Sequence, residues 1–262
     1  MQLTWYGHST MLLRDDRTIH ADPPPRQGQP LDPATGLPYA DWDGVYRGGA
    51  SVLVDPFFEG NPLAPDWKSI PRPDIIAVTH DHADHLGQAV PLALATGATV
   101  ACIVDLVPLF VEQGVDPVRV VGWNVGGTVN IRGVRVTMTP ALHSAGRGVP
   151  VGFVFEFGDG GPVVYHAGDT GLFGDMRLIG ECFALDAALV PVGGHYTMDG
   201  EQAARACALL GVRTAVPMHY KTFALLDTTP DACVEALKRH APRCRAIMPE
   251  VGHPATLPCS RN

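Results

Sequence analysis

The sequence predicts a single α/β domain covering residues 1–262, and the spacing of its apolar residues carries that prediction. Short apolar runs rich in β-branched residues, such as IIAV at 75–78, recur along the chain and are typical of buried strands. Helical spacing occurs between them, for example at Leu86, Val90 and Leu94. A chain of 262 residues also has the length for two small domains, but its strands and helices interleave in both halves.

The chain begins with a predicted antiparallel hairpin, in which 2–6 and 10–13 are strands and Gly7-His8-Ser9 is the turn. Apolar or alternating runs predict further strands at 51–56, 75–78, 100–104, 118–121, 128–131, 134–139, 152–157, 163–166, 185–190 and 214–218. Helical spacing predicts helices before Gly97, before Gly114, after the N-cap Asp199, and from Thr229-Pro230 with Pro230 in the first turn.

Composition and charge exclude several classes of protein. The formal net charge of −8 argues against a broad nucleic-acid-binding face. The six cysteines form no C-x-x-C pair, and we expect buried thiols in a reduced cytoplasm. The most apolar segment, 89–104, is shorter than the ~20 residues of a membrane span, and the N-terminus shows no signal peptide. We therefore expect a soluble cytoplasmic protein with no nucleic-acid or membrane partner, and the sequence leaves a homo-oligomer open.

The most informative stretch is THDHADH at 79–85, which places three imidazoles and two carboxylates directly after a predicted strand. These side chains are the ligands that Zn²⁺ and similar cations bind. Alternation along an extended chain points His80 and His82 to the same side, and Asp84 and His85 follow as the chain turns. This arrangement suits two adjacent metals better than one. A solvated polar loop is the alternative.

Other candidate ligands follow other predicted strands. His143 comes after the strand at 134–139, Asp169 after 163–166, and His219 closes the run at 214–218. Because each lies just past a strand, all three are expected to converge with the first group on one edge of a sheet.

This order of ligands, H-x-H-x-D-H, then a lone His, a G-D-T Asp and a late His, resembles that of the metallo-β-lactamase superfamily. The resemblance covers nearly the whole chain and is closest to small bacterial metal-dependent hydrolases related to L-ascorbate-6-phosphate lactonases. It implies a four-layer αββα sandwich with two divalent ions, Zn²⁺ being expected and Mn²⁺ or Fe²⁺ remaining open. It assigns His80, His82 and His143 to the first ion, Asp84, His85 and His219 to the second, and Asp169 as the bridge.

The resemblance also assigns roles to residues around the metals. Related hydrolases carry a G-H-[ST] element near the metals, which makes His8 a site candidate, with an exposed turn histidine as the alternative. Asp55 matches an acidic residue that braces the ligand loop, although an Asp that merely ends a strand is the alternative. His166, three residues before Asp169, is expected to support a ligand without binding metal.

Asp84 and His195 are the predicted catalytic residues, and His195 or Tyr220 is expected to bind the leaving group or oxyanion. A surface histidine is the alternative for His195. Arg147 and Lys221 are candidates to meet an anionic substrate, with ordinary exposed cations as the simpler interpretation.

A proline- and glycine-rich insertion at about 15–50 is a departure from these relatives. Its prolines exclude helix and central strand, and loops this long are usually functional or disordered. Tyr39, Trp42 and Tyr46 favour an ordered flap. Because the chain re-enters the fold at the strand that ends in Asp55, we expect the insertion to be anchored close to the metals and to control substrate access. An oligomer contact or a plain surface loop is the alternative.

The predicted function is that of a dinuclear metal-dependent hydrolase whose metal-bridging hydroxide attacks a small ester, lactone or phosphate-containing molecule. No G-x-S-x-G element occurs, so a serine nucleophile of that type is excluded. A phosphodiesterase of the nucleotide or phospholipid type is one alternative, and a non-catalytic metal-binding protein that retains the fold is another. A di-iron protein handling oxygen or nitric oxide is disfavoured, because such relatives usually carry Glu where His82 stands.

Overall fold

Two seven-stranded β-sheets form the body of the protein. A computed structural model describes residues 1–17, 49–227 and 229–259, together with the backbone of 19–20 and 45–46. The strands are β1 (Gln2–Trp5), β2 (Met11–Asp15), β3 (Ile19–His20), β4 (Val45–Tyr46), β5 (Ala50–Val54), β6 (Ile75–Ala77), β7 (Thr99–Ile103), β8 (Val120–Trp123), β9 (Thr128–Ile131), β10 (Val134–Pro140), β11 (Val151–Phe157), β12 (Val163–His166), β13 (Ala187–Pro191), β14 (Thr214–Met218), β15 (Arg245–Ala246) and β16 (Pro254–Thr256).

The first sheet has the order β16-β1-β2-β5-β6-β7-β8. Strands β5 to β8 run parallel, whereas β2 is antiparallel to both β1 and β5, with Met11 opposite Val54. The turn between β1 and β2 therefore lies at the same edge of the sheet as the carboxyl ends of β5, β6 and β7. This register brings the Gly7-His8-Ser9 turn to the loop that follows β6.

The second sheet has the order β15-β14-β13-β12-β11-β10-β9. Strands β12 to β15 are parallel, and β10 and β11 form an antiparallel pair beside them, with Phe153 of β11 opposite His166 of β12. The carboxyl ends of β10, β12, β13 and β14 thus share one edge. Each of these four strands is followed by a predicted site residue.

Helices cover the two sheets, giving the four-layer αββα sandwich that the sequence led us to expect. They are α1 (Ala83–Leu86), α2 (Ala89–Thr96), α3 (Val107–Glu112), α4 (Met176–Cys182), α5 (Gly200–Leu210) and α6 (Asp231–His240). Helix α5 opens with the predicted capping box, in which the Asp199 carboxylate accepts from Gln202 N at 2.7 Å and the Gln202 side chain accepts from Asp199 N at 3.2 Å. Among the described residues no helix is long and apolar enough to cross a membrane.

Four local predictions need correction. The helix predicted to begin at Leu86 is split into α1 and α2, because Gly87 adopts φ 38° where a Cβ would lie 2.3 Å from Pro56 O. The strand predicted at 118–121 begins later, because Pro117–Arg119 forms a 3-10 turn capped by Asp116. Pro230 precedes α6 as its N-cap instead of standing in its first turn. Finally, all six cysteines are free as expected, but Cys182 is exposed at the end of α4.

The predicted insertion connects two neighbouring strands at the edge of the sheet far from the predicted ligands. Strand β2 ends at Asp15 and β5 begins at Ala50, and these two residues are paired. The prediction of anchorage close to the metals is therefore wrong, because the five residues of β5 separate Ala50 from Asp55 by roughly 16 Å at ~3.3 Å per strand residue. The insertion was predicted to form an ordered flap with the aromatic side chains of Tyr39, Trp42 and Tyr46. The described part of the structure does not include these side chains.

The interior is one continuous cluster of buried apolar side chains drawn from both sheets. Strands β5, β13 and β14 are buried along their whole length, as the apolar runs predict for central parallel strands. Burial of these strands fixes their register, since a shift by one residue would turn every side chain to the other face. The loops at their carboxyl ends are held in place by this rigid support.

Candidate metal centre

Loops from both sheets bring the predicted ligands together at one edge of the sandwich. Their ligand atoms form three overlapping groups, each with all atoms within 4.8 Å of one another. These groups are His80, His82 and His143; His8, Asp84, His85 and His219; and His80, His85 and Asp169. Every side chain predicted to bind metal thus belongs to a group, and His8 joins them.

The first group surrounds His80, which is completely buried. Its Nε2 lies 3.0 Å from Nδ1 of His82, and the ring of His143 lies 5.2 Å from that of His80. Burial, followed by the nearby charge of His85, lowers the pKa of His80 to about 2. Burial also lowers the pKa of His143. Neutral imidazoles carry the lone pairs that a cation needs.

Thr79 selects the tautomer of His80, and the sequence analysis missed this residue. Its hydroxyl donates to Asp55 Oδ2 at 2.8 Å, so its oxygen accepts from Nδ1–H of His80 at 3.0 Å. The lone pair of His80 is therefore on Nε2, which faces the group. The position of Thr79 immediately before the first histidine was the only signal in the sequence.

The second group contains Asp84, His85, His219 and His8. Asp84 Oδ2 lies 3.1 Å from Nε2 of His8. Burial acts to raise the pKa of Asp84, but the hydrogen bond from His8 and the charge of His85 hold it well below its usual range. Asp84 is therefore an ionised carboxylate. Its side chain keeps a quarter of its surface exposed, so it stands at the mouth of the site.

Asp169 lies between the two groups. Its Oδ2 is 2.9 Å from His219 Nε2, 3.2 Å from His85 Nε2 and 3.7 Å from His143 Nε2. Burial acts to raise its pKa, but the charges of His85 and His219 hold it well below the usual range. Burial also acts to lower the pKa of His85. The carboxylates of Asp169 and Asp55 have the larger effect, and they raise the pKa of His85 well above its usual value. This concentration of negative charge attracts a cation.

Several ligand atoms have no hydrogen-bond partner although they are buried. They are His85 Nε2, Asp169 Oδ1 and both ring nitrogens of His219. Buried polar atoms are normally paired, and the short contacts to Asp169 do not have the angles of hydrogen bonds. His85, His219 and Asp169 each place one ligand atom in the groups described above, in which all atoms lie within 4.8 Å of one another. A donor set of imidazoles and carboxylates at this spacing fits divalent metal ions.

Asp55 makes the contacts expected of a brace for the ligand loop. Its Oδ1 accepts from Thr79 N at 2.8 Å, and its Oδ2 accepts from Nδ1 of His85 at 2.7 Å. These bonds turn Nε2 of His85 towards Asp169. Asp55 adopts φ 46°, a left-handed conformation that the surrounding contacts must hold.

His8 lies deeper in the site than a turn histidine normally would. It is completely buried, has φ 53°, and places its ring centroid 3.9 Å from that of His219. Its Nδ1 lies 3.0 Å from Thr222 Oγ1, and its carbonyl oxygen accepts from His219 N at 3.0 Å. Burial, opposed by the hydrogen bond to Asp84, lowers the pKa of His8 to about 4. A neutral His8 is therefore fixed against the second group.

His166 faces away from the ligand atoms. Its Nδ1 accepts from Gly168 N at 3.1 Å, so Nε2 carries the proton and donates to Ser9 O at 3.1 Å. Burial lowers its pKa, consistent with a neutral ring. The side chain ties the turn of His8 to the loop that carries Asp169.

The other predicted site residues lie outside the ligand groups. Tyr220 stacks on Trp5 with ring centroids 5.0 Å apart and belongs to the hydrophobic core; burial and the Asp231 carboxylate raise its pKa. His195 is exposed on the loop after β13, with its ring edge-on to Tyr196. Arg147 and Lys221 are also exposed.

Comparison with known proteins places this arrangement in a family. The family described as the β-lactamase superfamily domain matches residues 50–220. A UPF0173 metal-dependent hydrolase of Nitratidesulfovibrio vulgaris is 48% identical over 217 residues, 81% of this chain and 90% of that protein. A UPF0173 metal-dependent hydrolase of Pyrobaculum arsenaticum is 40% identical over 245 residues, 91% of this chain and 94% of that protein.

Solved structures show the same fold. Igni18, a metallo hydrolase from the archaeon Ignicoccus hospitalis, has a TM-score of 0.75 and 32% identity, covering 97% of both chains. An isothiocyanate hydrolase from Delia radicum gut bacteria has a TM-score of 0.68 and 18% identity, covering 98% of this chain and 99% of that chain, and this likeness shows the fold alone. The chain therefore belongs to the metallo-β-lactamase superfamily and is a metal-dependent hydrolase of the UPF0173 family.

Proposed function

We propose that this protein hydrolyses a small ester, lactone or phosphate-containing molecule with two divalent metal ions bound side by side. The observation that carries the proposal is the place of Asp169, whose single carboxylate is within 3.7 Å of histidines from both ligand groups. A carboxylate between two groups of lone-pair donors is suited to serve two ions at once.

The donor atoms divide between the ions as follows. His80, His82 and His143 would hold the first, Asp84, His85 and His219 the second, and Asp169 would serve both. Imidazole and carboxylate without thiolate favour Zn²⁺, with Mn²⁺ and Fe²⁺ as alternatives. Bound ions of this kind supply an activated water and polarise the scissile bond.

The chain's own side chains orient these donors. Asp55 contacts Nδ1 of His85 and Thr79 contacts Nδ1 of His80, so that each histidine presents Nε2 to the site. Asp84 is held in its ionised form by His8, which keeps it available at the mouth of the site. His195, exposed on the loop after β13, is our candidate for contact with the leaving group.

We also propose that the protein is cytoplasmic and that its partner is a small-molecule substrate. Six free cysteines favour the reducing cytoplasm. The net charge of −8 favours a small-molecule substrate over nucleic acid.

A substrate panel on metal-loaded protein tests the proposal. It contains lactones, carboxylic esters, thioesters and phosphodiesters, assayed with wild type, Asp169→Asn and the control His253→Gln. His253 is 70% exposed and far from the ligands in sequence, so its variant controls for loss of a histidine. We expect turnover of at least one class by wild type and the control, and loss of that turnover in Asp169→Asn. Metal-loaded wild type that hydrolyses none of the four classes, or an Asp169→Asn variant as active as wild type, contradicts it.

A further inference from the structure

Large apolar side chains are exposed around the candidate metal centre. Twelve such side chains are exposed in the described part of the chain, and eight of them flank strand ends at this edge of the sandwich. Two of the eight, Val125 and Met248, follow the outermost strands β8 and β15. We call the other six the apolar rim: Val104, Leu142, Val149, Tyr196, Phe223 and Leu225. Exposed apolar side chains scattered singly need no explanation, but a concentration of them at one place marks a binding surface.

Phe223 and Leu142 lie closest to the ligand residues. The Phe223 ring is 39% exposed, and its centroid lies 5.4 Å from that of His8 and 6.2 Å from that of Phe57. Leu142 directly precedes His143; its N–H donates to Thr170 Oγ1 at 2.9 Å, and its carbonyl accepts from Gly171 N at 3.0 Å. The Phe223 side chain therefore borders the second group, and the backbone of Leu142 is bonded to the loop of Asp169.

Backbone hydrogen bonds join the loops that carry the rim. Met198 N donates to Thr170 O at 3.1 Å, which ties the Tyr196 loop to the loop of Asp169. Asp227 N donates to Gly193 O at 3.1 Å, which ties the Phe223 and Leu225 loop to the Tyr196 loop. These loops are thus fixed to one another by backbone bonds that do not involve the rim side chains.

Val104 and Val149 extend the rim on the side of the first sheet. Val104 directly follows β7, at the same edge as the loop after β6. Gly148 packs on the neighbouring Asp105, where an added Cβ would lie 3.0 Å from the Asp105 Cβ. The loops of the two valines are therefore in contact.

Charges in these loops do not favour a polyanionic ligand. The Arg147 loop is met by carboxylates on both sides, since Gly146 N donates to Asp81 Oδ1 at 2.7 Å and Gly148 packs on Asp105. Lys221 N donates to Asp227 O at 2.8 Å, and the Asp227 carboxylate lies beside Gly194. Each cation is thus accompanied by acidic side chains, in a protein whose net charge is −8.

We propose that the apolar rim binds an uncharged aliphatic or aromatic group of the substrate, so that the site prefers esters or lactones bearing such a group over phosphate-containing molecules. This inference rests on the proposed function and narrows its substrate class. Apolar walls with a few polar groups at the base are the usual composition of small-molecule sites. Each methylene that the rim removes from water raises kcat/KM by up to about fourfold.

A chain-length series tests the inference. The probes are p-nitrophenyl esters from acetate to octanoate, with bis(p-nitrophenyl) phosphate as the anionic competitor. The readout is the ratio of kcat/KM for octanoate to that for acetate. The rim variants are Phe223→Ser and Leu142→Ser. The controls are Leu94→Ser and Leu178→Ser, whose side chains are 54% and 48% exposed on α2 and α4, outside the rim. Metal content is measured for every variant.

We expect the octanoate to acetate ratio of wild type to be at least tenfold, to fall at least threefold in each rim variant, and to stay unchanged in the controls. A wild-type ratio near one, a ratio unaffected by the rim variants, or phosphodiester turnover above that of every ester would overturn the inference. If no probe is hydrolysed, the proposed function is decided by the remaining classes of the substrate panel, lactones and thioesters. The rim is then tested by ligand-observed NMR with 2-decanone and acetone, and equal binding of the two ketones, or equal binding of 2-decanone to wild type and Phe223→Ser, would overturn it.

Discussion

Asp55 Oδ2 lies 2.7 Å from His85 Nδ1, and both side chains are completely buried. This contact joins the end of β5 to helix α1, which follows β6, the parallel neighbour of β5 in the first sheet. Because Nδ1 is engaged by Asp55, the other ring nitrogen is turned to Asp169, 3.2 Å away. One carboxylate outside the predicted ligand set therefore fixes the direction of a predicted ligand, His85.

We expect Asp55→Asn to weaken the binding of the second metal by about 10- to 100-fold, the usual effect of losing such a brace. Asparagine tolerates the left-handed φ of 46° at this position, so the backbone is preserved. Competition with a chromophoric chelator measures the affinity. Asp116→Asn, at the cap of a 3-10 turn, is the matched control. Equal metal affinity of Asp55→Asn and wild type would show that the contact does not orient His85 for metal.

We expect Asp169→Ala to lose more metal and more turnover than any single histidine variant of the site. Its carboxylate contacts histidines of both groups, whereas each histidine would serve one ion. Metal content and kcat, compared across alanine variants of the seven predicted ligands, measure the difference. Retention of both metals and of a near-normal rate by Asp169→Ala would exclude the bridging role.

Removal of the insertion tests whether it controls the access of substrate to the candidate metal centre. Asp15 and Ala50 are paired in the sheet, so a short Gly-Asn turn in place of residues 20–47 connects strands that are already neighbours. Because this junction lies at the edge far from the ligands, we expect the melting temperature and metal content to be nearly unchanged. A role in substrate access predicts a changed KM or selectivity. An unchanged kinetic profile counts against that role, and loss of metal would mean that the insertion supports the site itself.

The contact between α5 and α6 predicts a pH-dependent contribution to stability. Hydrogen bonds from His240 and then Arg239 lower the pKa of Glu201 from 4.5 to about 2. A carboxyl pKa that is lower in the folded state contributes stability above pH 4.5, and this contribution is lost as the pH falls from 4.5 towards 2. We expect Glu201→Gln to lower the urea midpoint slightly at pH 7, because the pair is exposed, and to have less effect at pH 3. An equal effect at both pH values would contradict this.

The sequence predicted the strands and the convergence of the candidate ligands at one edge well, because both depend on local patterns, whereas the four-layer sandwich was implied by the family resemblance. Apolar runs identified the central strands, and each ligand stands just past such a run, as His143 and His219 show. Contacts that depend on register were harder to predict. His8 enters the second group only because β2 runs antiparallel to β5, and the same register places Asp15 at the opposite edge.

The direction in which individual side chains point could also not be predicted from the sequence. Tyr220 follows a predicted ligand directly, yet its ring stacks on Trp5 in the core. Thr79 precedes the first histidine and looks unremarkable as a residue type, yet its hydroxyl connects Asp55 to His80. Such roles depend on which partner lies opposite in space, and local periodicity carries no information about that.

The number of metal ions per chain tests the central claim most directly. Elemental analysis of protein saturated with Zn²⁺ or Mn²⁺ and freed of excess metal should give two ions per chain. The Asp84→Ala variant should give one, because Asp84 belongs to the second group and not to the first. One ion in wild type at saturation, with Asp84→Ala binding as much as wild type, would contradict the dinuclear account.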